Sequence, residues 1–242
     1  MENNIIENQK KKWEESYLKR DNFVFYPHEE VIRFVSKYIR KRIGLSEYKE
    51  MCVSGVSSEL NKCVKILDLG CGIGRHVIYC HEMGLEAHGI DISENAIAVA
   101  LKWAAQKGIR EPEKKIRKGD ISHLAYPDGF FDFAVCHGVL DSISFLAARS
   151  ACRELVRVLR QGALFYCDLV SGDDSNHARE FEGEEIVATD HEKGTIQSYF
   201  NFKKISQLIE EYFDIVECKL IRNEDILTGS FNSRYHLILK GK

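Results

Sequence analysis

KILDLGCGIGRH, the stretch from Lys65 to His76, decides the fold. An apolar run ends in three glycines spaced GxGxG, at Gly70, Gly72 and Gly74, and a helical pattern follows at once. Glycines at a strand-to-helix turn let the backbone approach a ligand closely, and open α/β sheets bind ligands at the carboxyl ends of their strands. The stretch therefore predicts a ligand site at the end of the first core strand.

Short apolar runs alternate with amphipathic helical runs from Val64 onward, which is typical of βα units in a parallel sheet. We predict core strands at 65–69, 86–90, 115–118, 131–137 and 163–170. Helices are predicted at 75–83, 93–107 and 145–160, each closed by a glycine in the left-handed position after its end, at Gly84, Gly108 and Gly162. A helix at 202–212 and an antiparallel hairpin of strands 213–222 and 235–240 complete the pattern. The fold class is α/β, a Rossmann-like, mostly parallel seven-stranded sheet with helices on both faces.

The chain of 242 residues suits a single compact domain. Residues 1–61 are predicted to form an N-terminal helical layer, interrupted near Phe25 to Pro27, and a connecting loop at 44–61. Residues 62–242 form the predicted core. Within it, the polar and acidic stretch 171–196 is a candidate substrate cap, because loops of that length are often functional.

A net charge of −3 disfavours a nucleic-acid partner, which usually meets a basic surface. No apolar run approaches the roughly 20 residues that span a bilayer, and the first residues are polar, so we expect a cytoplasmic protein without a membrane partner. The eight cysteines include no CxxC pair, which predicts reduced thiols and no metal site.

Asp68 stands inside the first strand, where an unpaired buried charge is costly and indicates a cationic ligand. Arg75 stands where the dinucleotide fingerprint GxGxxG has its last glycine. Together, the acid and the GxGxG turn resemble the first motif of class I S-adenosylmethionine-dependent methyltransferases, in particular the type 11-like enzymes of small molecules. The resemblance implies that the methionine part of the cofactor is held by Asp68, Gly70, Cys71, Gly72 and Gly74.

Four later segments extend the resemblance across 64–170, the last being ELVRVLRQGALF at 154–165, which resembles the helix and strand that follow the sulfonium loop. HGIDIS, His88 to Ser93, matches the segment whose acid binds the ribose, which implies roles for Asp91 and Ile92. KGDI at 118–121 is similar to the adenine segment, with Asp120 toward the exocyclic amine and Ile121 against the ring. FDFAVCHGVL at 131–140 resembles the strand and loop beneath the sulfonium, which adds Cys136 and His137. The residues alone leave other roles open: Asp91 could cap the helix after Ser93, and Asp120 could be a turn residue.

His137 and Asp141 are the candidate catalytic residues, because they follow the fourth strand at the end of the sheet where the methyl group is expected. Either could remove a proton from a hydroxyl or an ammonium. The alternatives are a structural histidine and a capping or turn aspartate before Ser144. His76 fits a wall of the cofactor site or a structural helix position. Four further residues could cover the site or belong to the core: Trp13, Tyr26, His191 and Tyr199.

The resemblance predicts methyl transfer from S-adenosylmethionine to a hydroxyl or amine of a small molecule, with S-adenosylhomocysteine as the product. A protein or nucleic-acid methyltransferase is the alternative, disfavoured because CHGV replaces the Asn- or Asp-Pro-Pro-aromatic motif of amino-methylating enzymes. A nicotinamide-binding oxidoreductase and a cofactor-binding regulatory module without turnover are the alternatives from other classes. The sequence does not determine the acceptor, the pathway or the oligomeric state.

Overall fold

Eleven strands occur in the computed structural model, which describes residues 2–51, 63–190 and 192–242. They are β1 (Arg40–Arg42), β2 (Tyr48–Glu50), β3 (Lys65–Leu69), β4 (Glu86–Asp91), β5 (Ile116–Lys118), β6 (Phe131–Cys136), β7 (Leu159–Val170), β8 (Glu184–Ile186), β9 (Ile196–Ser198), β10 (Phe213–Glu224) and β11 (Phe231–Gly241). Seven of these build the central sheet, and the other four form two small antiparallel hairpins, β1–β2 and β8–β9.

The central sheet has the strand order β10-β11-β7-β6-β3-β4-β5. Neighbours from β7 to β5 run parallel, whereas β11 lies antiparallel to β7 and β10 antiparallel to β11. The predicted fold class and edge hairpin are confirmed. The carboxyl ends of five parallel strands therefore meet at one edge of the sheet, as the predicted ligand site requires.

The described part of the chain has seven helices around the sheet: α1 (Glu2–Lys19), α2 (Glu29–Tyr38), α3 (Arg75–Glu82), α4 (Glu94–Gln106), α5 (Pro112–Lys115), α6 (Phe145–Val158) and α7 (Phe202–Ile209). Alternate strand residues feed two separate cores, because successive side chains point to opposite faces. Leu67 belongs to the core with α6 and α7, and Ile66 to the core with α2, α3 and α4. Both faces of the sheet are thus covered, which explains the continuous apolar runs of β6 and β7.

Side-chain caps fix where the helices begin. Ser93 accepts a hydrogen bond from the backbone N–H of Ala96 at 3.1 Å, so α4 starts directly after β4. Ser144 caps α6 in the same way. These caps anchor the loops between strand ends and helix starts.

Three local predictions need correction or fall outside the structure. The N-terminal segment contains the hairpin β1–β2, where we predicted the end of a helix and a loop. Gly162 does not close a helix, because α6 ends at Val158 and Gly162 (φ +73°) lies in an irregularity of β7. His191 and residues 52–61 of the predicted loop lie outside the described residues. Within the described ranges, no helix has the length and apolar character needed to cross a membrane.

Candidate active site

A cavity of about 350 Å³ lies at the carboxyl edge of the sheet. Its walls come from the loops after β3, β4, β5 and β6 and from α1, which covers it. Eight of the predicted site residues line it: Gly70, Cys71, Gly72, Asp91, Ile92, Asp120, Ile121 and His137. Asp68, Cys136 and Asp141 are instead buried outside the lining, and Gly74 is the N-cap residue of α3.

The glycine turn leaves no room for side chains. A Cβ on Gly70 would lie 2.4 Å from a methyl carbon of Val139, and one on Gly72 would lie 2.5 Å from the Tyr17 hydroxyl. Both glycines also have positive φ, at +71° and +53°, a conformation that side chains disfavour. The turn therefore presents bare backbone to the cavity between β6 and α1.

Asp91 holds the turn from the end of β4. Its two carboxylate oxygens accept hydrogen bonds from the backbone N–H groups of Gly72 and Ser93, each at 2.8 Å. Burial raises the pKa of Asp91 to about 6, against the effect of these two hydrogen bonds. Each oxygen retains acceptor capacity toward the cavity, so the predicted ribose contact and the alternative structural role are compatible.

Asp120 shapes the loop after β5. Its Oδ1 accepts hydrogen bonds from the backbone N–H and the hydroxyl of Ser122, at 2.8 Å and 2.7 Å. This is the turn geometry that the sequence left open. Asp120, Ile121 and Ser122 still line the cavity, on the side where the adenine contact is predicted.

His76 connects the glycine motif to the N-terminal layer. Its Nε2 accepts a hydrogen bond from the backbone N–H of His28 at 3.2 Å, and its Nδ1 lies 3.7 Å from Oδ1 of Asp68. The proton of His76 is therefore on Nδ1, facing the carboxylate. The other oxygen of Asp68, Oδ2, is buried and has no hydrogen-bond partner within the described part of the chain.

His137 lies in the cavity wall between an arginine and an aspartate. Arg75 Nη2 is 3.2 Å from Nδ1 of His137, and Oδ2 of Asp168 is 3.5 Å from Nε2. Because a guanidinium only donates, Nδ1 is the acceptor and the proton is on Nε2, which lies near Asp168 but has no hydrogen-bond partner among the described residues. Burial lowers the pKa of His137 to about 3, so the ring is neutral at physiological pH.

Asp168 and Asp141 share one cation behind His137. Arg234 donates to Asp168 at 2.6 Å and to Asp141 at 2.5 Å. The backbone N–H of Gly138 also donates to Asp168, at 2.7 Å. Burial would raise the pKa of Asp168, but Arg234 and His137 bring it below its usual value, so Asp168 is a carboxylate.

Asp141 is fully buried and supports the backbone. It accepts a hydrogen bond from the N–H of Val170 at 2.8 Å in addition to the Arg234 contact. Ser144, not Asp141, caps α6. A proton acceptor for substrate must be reachable, so the geometry favours a structural role for Asp141 and leaves His137 as the better candidate base.

Two contacts hold α1 over the cavity. Glu14 caps the N-terminus of α4 from outside the helix, because its carboxylate accepts hydrogen bonds from the backbone N–H groups of Glu94 and, at 3.2 Å, Asn95, as well as from the Ser93 hydroxyl at 3.0 Å. At the other side, Gln9 donates to the Gly194 carbonyl at 3.2 Å and accepts from the Ile196 N–H at 3.1 Å. The helix thus bridges the ribose side of the cavity and the stretch 171–196.

The other predicted cover residues have different positions. Trp13 lines the cavity, whereas Tyr26 is 81% exposed and Tyr199 packs against His177 with ring centroids 4.5 Å apart. Sequence reasoning missed Tyr17, Asp168 and Arg234 as parts of the site. For Asp168 a signal existed, since it is an acid inside an apolar strand, as Asp68 is. No group of three potential metal ligands is present among residues 2–51, 63–190 and 192–242.

Known proteins share both the sequence motif and the fold. Residues 67–167 match the family described as a methyltransferase domain. The uncharacterized methyltransferase YcgJ of Bacillus subtilis is 30% identical over 101 residues, which is 42% of this chain and 38% of YcgJ. A crystal structure of an S-adenosylmethionine-dependent methyltransferase from Methanosarcina mazei aligns with a TM-score of 0.61 at 25% identity, covering 75% of this chain and 93% of that one.

A third relative has a small molecule bound. The 1,6-didemethyltoxoflavin N1-methyltransferase of Burkholderia thailandensis, crystallised with 1,6-didemethyltoxoflavin and S-adenosylhomocysteine, aligns with a TM-score of 0.55 at 17% identity. The alignment covers 75% of this chain and 72% of the Burkholderia enzyme. At 17% identity it shows only that the two proteins share a fold. The alignment with YcgJ spans less than half of that protein's length.

The fold, the glycine turn and the matched segment define a class of protein. The chain carries a class I S-adenosylmethionine-dependent methyltransferase domain. The match to the methyltransferase-domain family covers residues 67–167, less than half of the chain.

Proposed function

We propose that the protein transfers a methyl group from S-adenosylmethionine to a hydroxyl or amine of a small molecule. The observation that carries the proposal is the position of His137: a neutral imidazole in the cavity wall, backed by the Asp168 carboxylate. The negative charge of a carboxylate near a histidine stabilises the imidazolium that forms when the other nitrogen accepts a proton.

The cavity fits the cofactor on two independent observations. Gly70 and Gly72 line it with bare backbone and leave no room for side chains of their own, and the Asp91 carboxylate lines it beside them as a buried acceptor. The glycine turn would hold the methionine part, Asp91 the ribose, and Asp120 with Ile121 the adenine. When bound, the cofactor supplies an electrophilic methyl group on a sulfonium that also serves as the leaving group.

The protein's own contribution is to position the acceptor and to receive its proton. Nδ1 of His137 would take the proton from the acceptor's oxygen or nitrogen as that atom forms its bond to the methyl carbon. Arg75 holds this nitrogen in the present structure. The guanidinium must therefore release Nδ1 before His137 can act as a base, and Arg75 lines the same cavity into which the cofactor carboxylate would come.

The cover formed by α1 supports a small acceptor over a macromolecule. Gln9, Trp13 and Tyr17 lie over the cavity, and Glu14 anchors the helix on the far side. A folded protein or a nucleic-acid duplex would have to displace this helix to bring its own atoms to His137. The Burkholderia enzyme shows that this fold can bind a small molecule together with S-adenosylhomocysteine, which is compatible with the proposed substrate class.

Release of S-adenosylhomocysteine tests the reaction directly. The purified protein is incubated with S-adenosylmethionine and a panel of small hydroxyl and amine compounds, and His137→Gln is measured beside the wild type. We expect turnover with a compound of the panel and a loss of about 10² to 10⁴-fold in kcat in the variant, with binding of S-adenosylhomocysteine retained. His123→Gln, an exposed histidine outside the cavity lining, is the matched control and keeps wild-type turnover.

The result has two clear alternatives. If turnover is unchanged in His137→Gln, His137 is not the general base, and the protein acts only by positioning the two substrates. Methylation of added protein or nucleic acid, with none of the small molecules, contradicts the proposed substrate class.

A further inference from the structure

Strand β10 ends the central sheet and is paired on one side only within the described residues. It is 12 residues long, and its apolar side chains are partly exposed: Ile215, Val216, Leu220 and Ile221, at 39% to 45%. Natural sheets usually protect an edge strand by making it short, by covering it, or with charged side chains and bulges, because its free N–H and C=O groups can pair with another chain. β10 has charged residues and a bulge after Ile215, but it is long and keeps four apolar side chains partly exposed, which indicates an interface.

The partners on β11 establish which side chains of β10 share a face. Ile215, Cys218 and Leu220 lie opposite Leu239, Leu237 and Tyr235, which are alternate residues of β11 and so lie on one face. Glu217, Lys219 and Ile221 lie opposite Ile238, His236 and Arg234 and share the other face. A bulge between Ile215 and Glu217 takes Val216 out of the ladder.

The charges of β10 are arranged symmetrically around Cys218. Glu217 precedes this residue and Lys219 follows it, on the same face of the sheet. If a second copy lies antiparallel with a twofold axis at Cys218, Glu217 of each copy faces Lys219 of the other. On the opposite face, Ile215 of one copy lies opposite Leu220 of the other, because Val216, in the bulge, does not pair with a residue of the neighbouring strand. These central contacts join opposite charges or two apolar side chains, whereas further out the register places Asp214 opposite Ile221 and Phe213 opposite Arg222.

We infer that β10 is a self-complementary edge through which two copies of this chain form a twofold-symmetric dimer with one continuous sheet. In such an isologous interface each favourable pair occurs twice. In a single copy, Lys219 lies 3.4 Å from Glu217 of its own strand, and Glu217 also contacts Lys37 and Tyr38 of α2. These contacts hold the carboxylate at the edge, ready to accept a lysine from the second copy.

The tip of the hairpin adds to the interface. Ile226 and Leu227, at 85% and 96% exposure, are the most exposed apolar side chains of this region. With the axis at Cys218, the tip of one copy extends past Phe213, the first residue of the other copy's β10. The interface remains small, so the dimer should dissociate on dilution. The dimer does not depend on the proposed methyl transfer, since β10 contributes no residue to the cavity lining.

Reversing the charge of residue 217 or of residue 219 tests the proposed register of the two β10 strands. In Lys219→Glu, residues 217 and 219 are both acidic, so the two copies repel each other; in Glu217→Lys both are basic, with the same result. An equimolar mixture of the two variants restores both ion pairs. We expect light scattering after size exclusion to show a concentration-dependent dimer for the wild type, monomers for each variant and a dimer for the mixture.

Cysteine cross-linking gives an independent readout that needs no altered charge. Opposite residues of antiparallel strands have Cα atoms about 4.5 to 5.5 Å apart, within disulfide range. Diamide, which accepts the two electrons and two protons of a thiol pair, should therefore couple Cys218 of two copies, and Cys218→Ser should abolish that product.

A monomeric wild type at high micromolar concentration overturns the inference, as does a dimer that persists unchanged in Lys219→Glu. Failure of the mixture to dimerise overturns the proposed register, provided that circular dichroism shows both variants folded. Failure of methyl transfer leaves these measurements unaffected.

Discussion

Replacing Asp168 by asparagine separates the proposed base from ordinary structural support. Asparagine keeps the shape of the side chain, but an amide cannot stabilise an imidazolium as a carboxylate does. The carboxylate lies 3.5 Å from Nε2 of His137 and 2.6 Å from Arg234. We expect kcat to fall by about 10² to 10⁴-fold, the range of general base catalysis, which is roughly 3 to 5 kcal/mol of activation free energy.

Asp168→Asn also lowers the free energy of unfolding, and the size of that loss can be bounded. Removing one partner of a buried ion pair typically costs about 3 to 5 kcal/mol. Arg234 keeps Asp141 at 2.5 Å, so we expect a loss near 3 kcal/mol and a fall in Tm of about 6 to 12 °C. Asp132→Asn is the matched control, because Asp132 is equally buried, pairs with Arg160 and accepts the Lys65 N–H at 2.8 Å, outside the cavity lining.

Turnover at a temperature where both variants are folded is the deciding assay. We expect Asp132→Asn to lose stability and keep kcat, and Asp168→Asn to lose both. If Asp168→Asn retains kcat while its Tm falls like that of the control, Asp168 is only a structural residue and the reasoning for a His137 base fails.

Three further predictions concern the cover, the turn and pH. Glu14→Gln should weaken S-adenosylhomocysteine binding by about 2 to 30-fold, the value of a helix cap, while Glu15→Gln, outside the cap, leaves calorimetric affinity unchanged. Gly72→Ala should abolish binding because its Cβ would strike the Tyr17 hydroxyl, whereas Gly229→Ala, with the same sign of φ and open space, should cost only stability. At His137 the folded state binds fewer protons than the unfolded state between the lowered pKa, about 3, and the ordinary value of 6.5, so urea titrations should show the stability of the wild type falling relative to His137→Gln, which lacks the titrating ring, as pH drops below about 6.5; a stability difference that is the same at pH 7.5 and pH 5 would contradict this.

Local patterns made most of the fold predictable. The strand that precedes Gly70 and the helix that Ser93 caps are encoded within a few residues of sequence, and β3 spans the predicted Lys65–Leu69. The hairpin β1–β2 was not predictable in the same way, because its strands are three residues each, with a polar, exposed composition. Such short pairs depend on their neighbours for stability.

The site was predictable only where the chain runs continuously through it. The residues after β3 to β6 come together because parallel strands share one carboxyl edge. Arg234 and Tyr17 come from opposite ends of the sequence, and no local pattern places Arg234 beside Asp168 or Tyr17 beside Gly72. Asp168 could have been identified, since the argument applied to Asp68 holds equally for an acid within the apolar strand β7.

Calorimetric titration with S-adenosylhomocysteine and, separately, with NAD tests the central claim most directly. Asp91→Asn, which removes the charge between the glycine turn and the predicted ribose site, is measured beside Asp128→Asn, an exposed acid outside the cavity lining. We predict binding of S-adenosylhomocysteine by the wild type and by Asp128→Asn, weakened in Asp91→Asn, with no binding of NAD. Binding of NAD without S-adenosylhomocysteine would contradict the assignment of this cavity to the methyl donor.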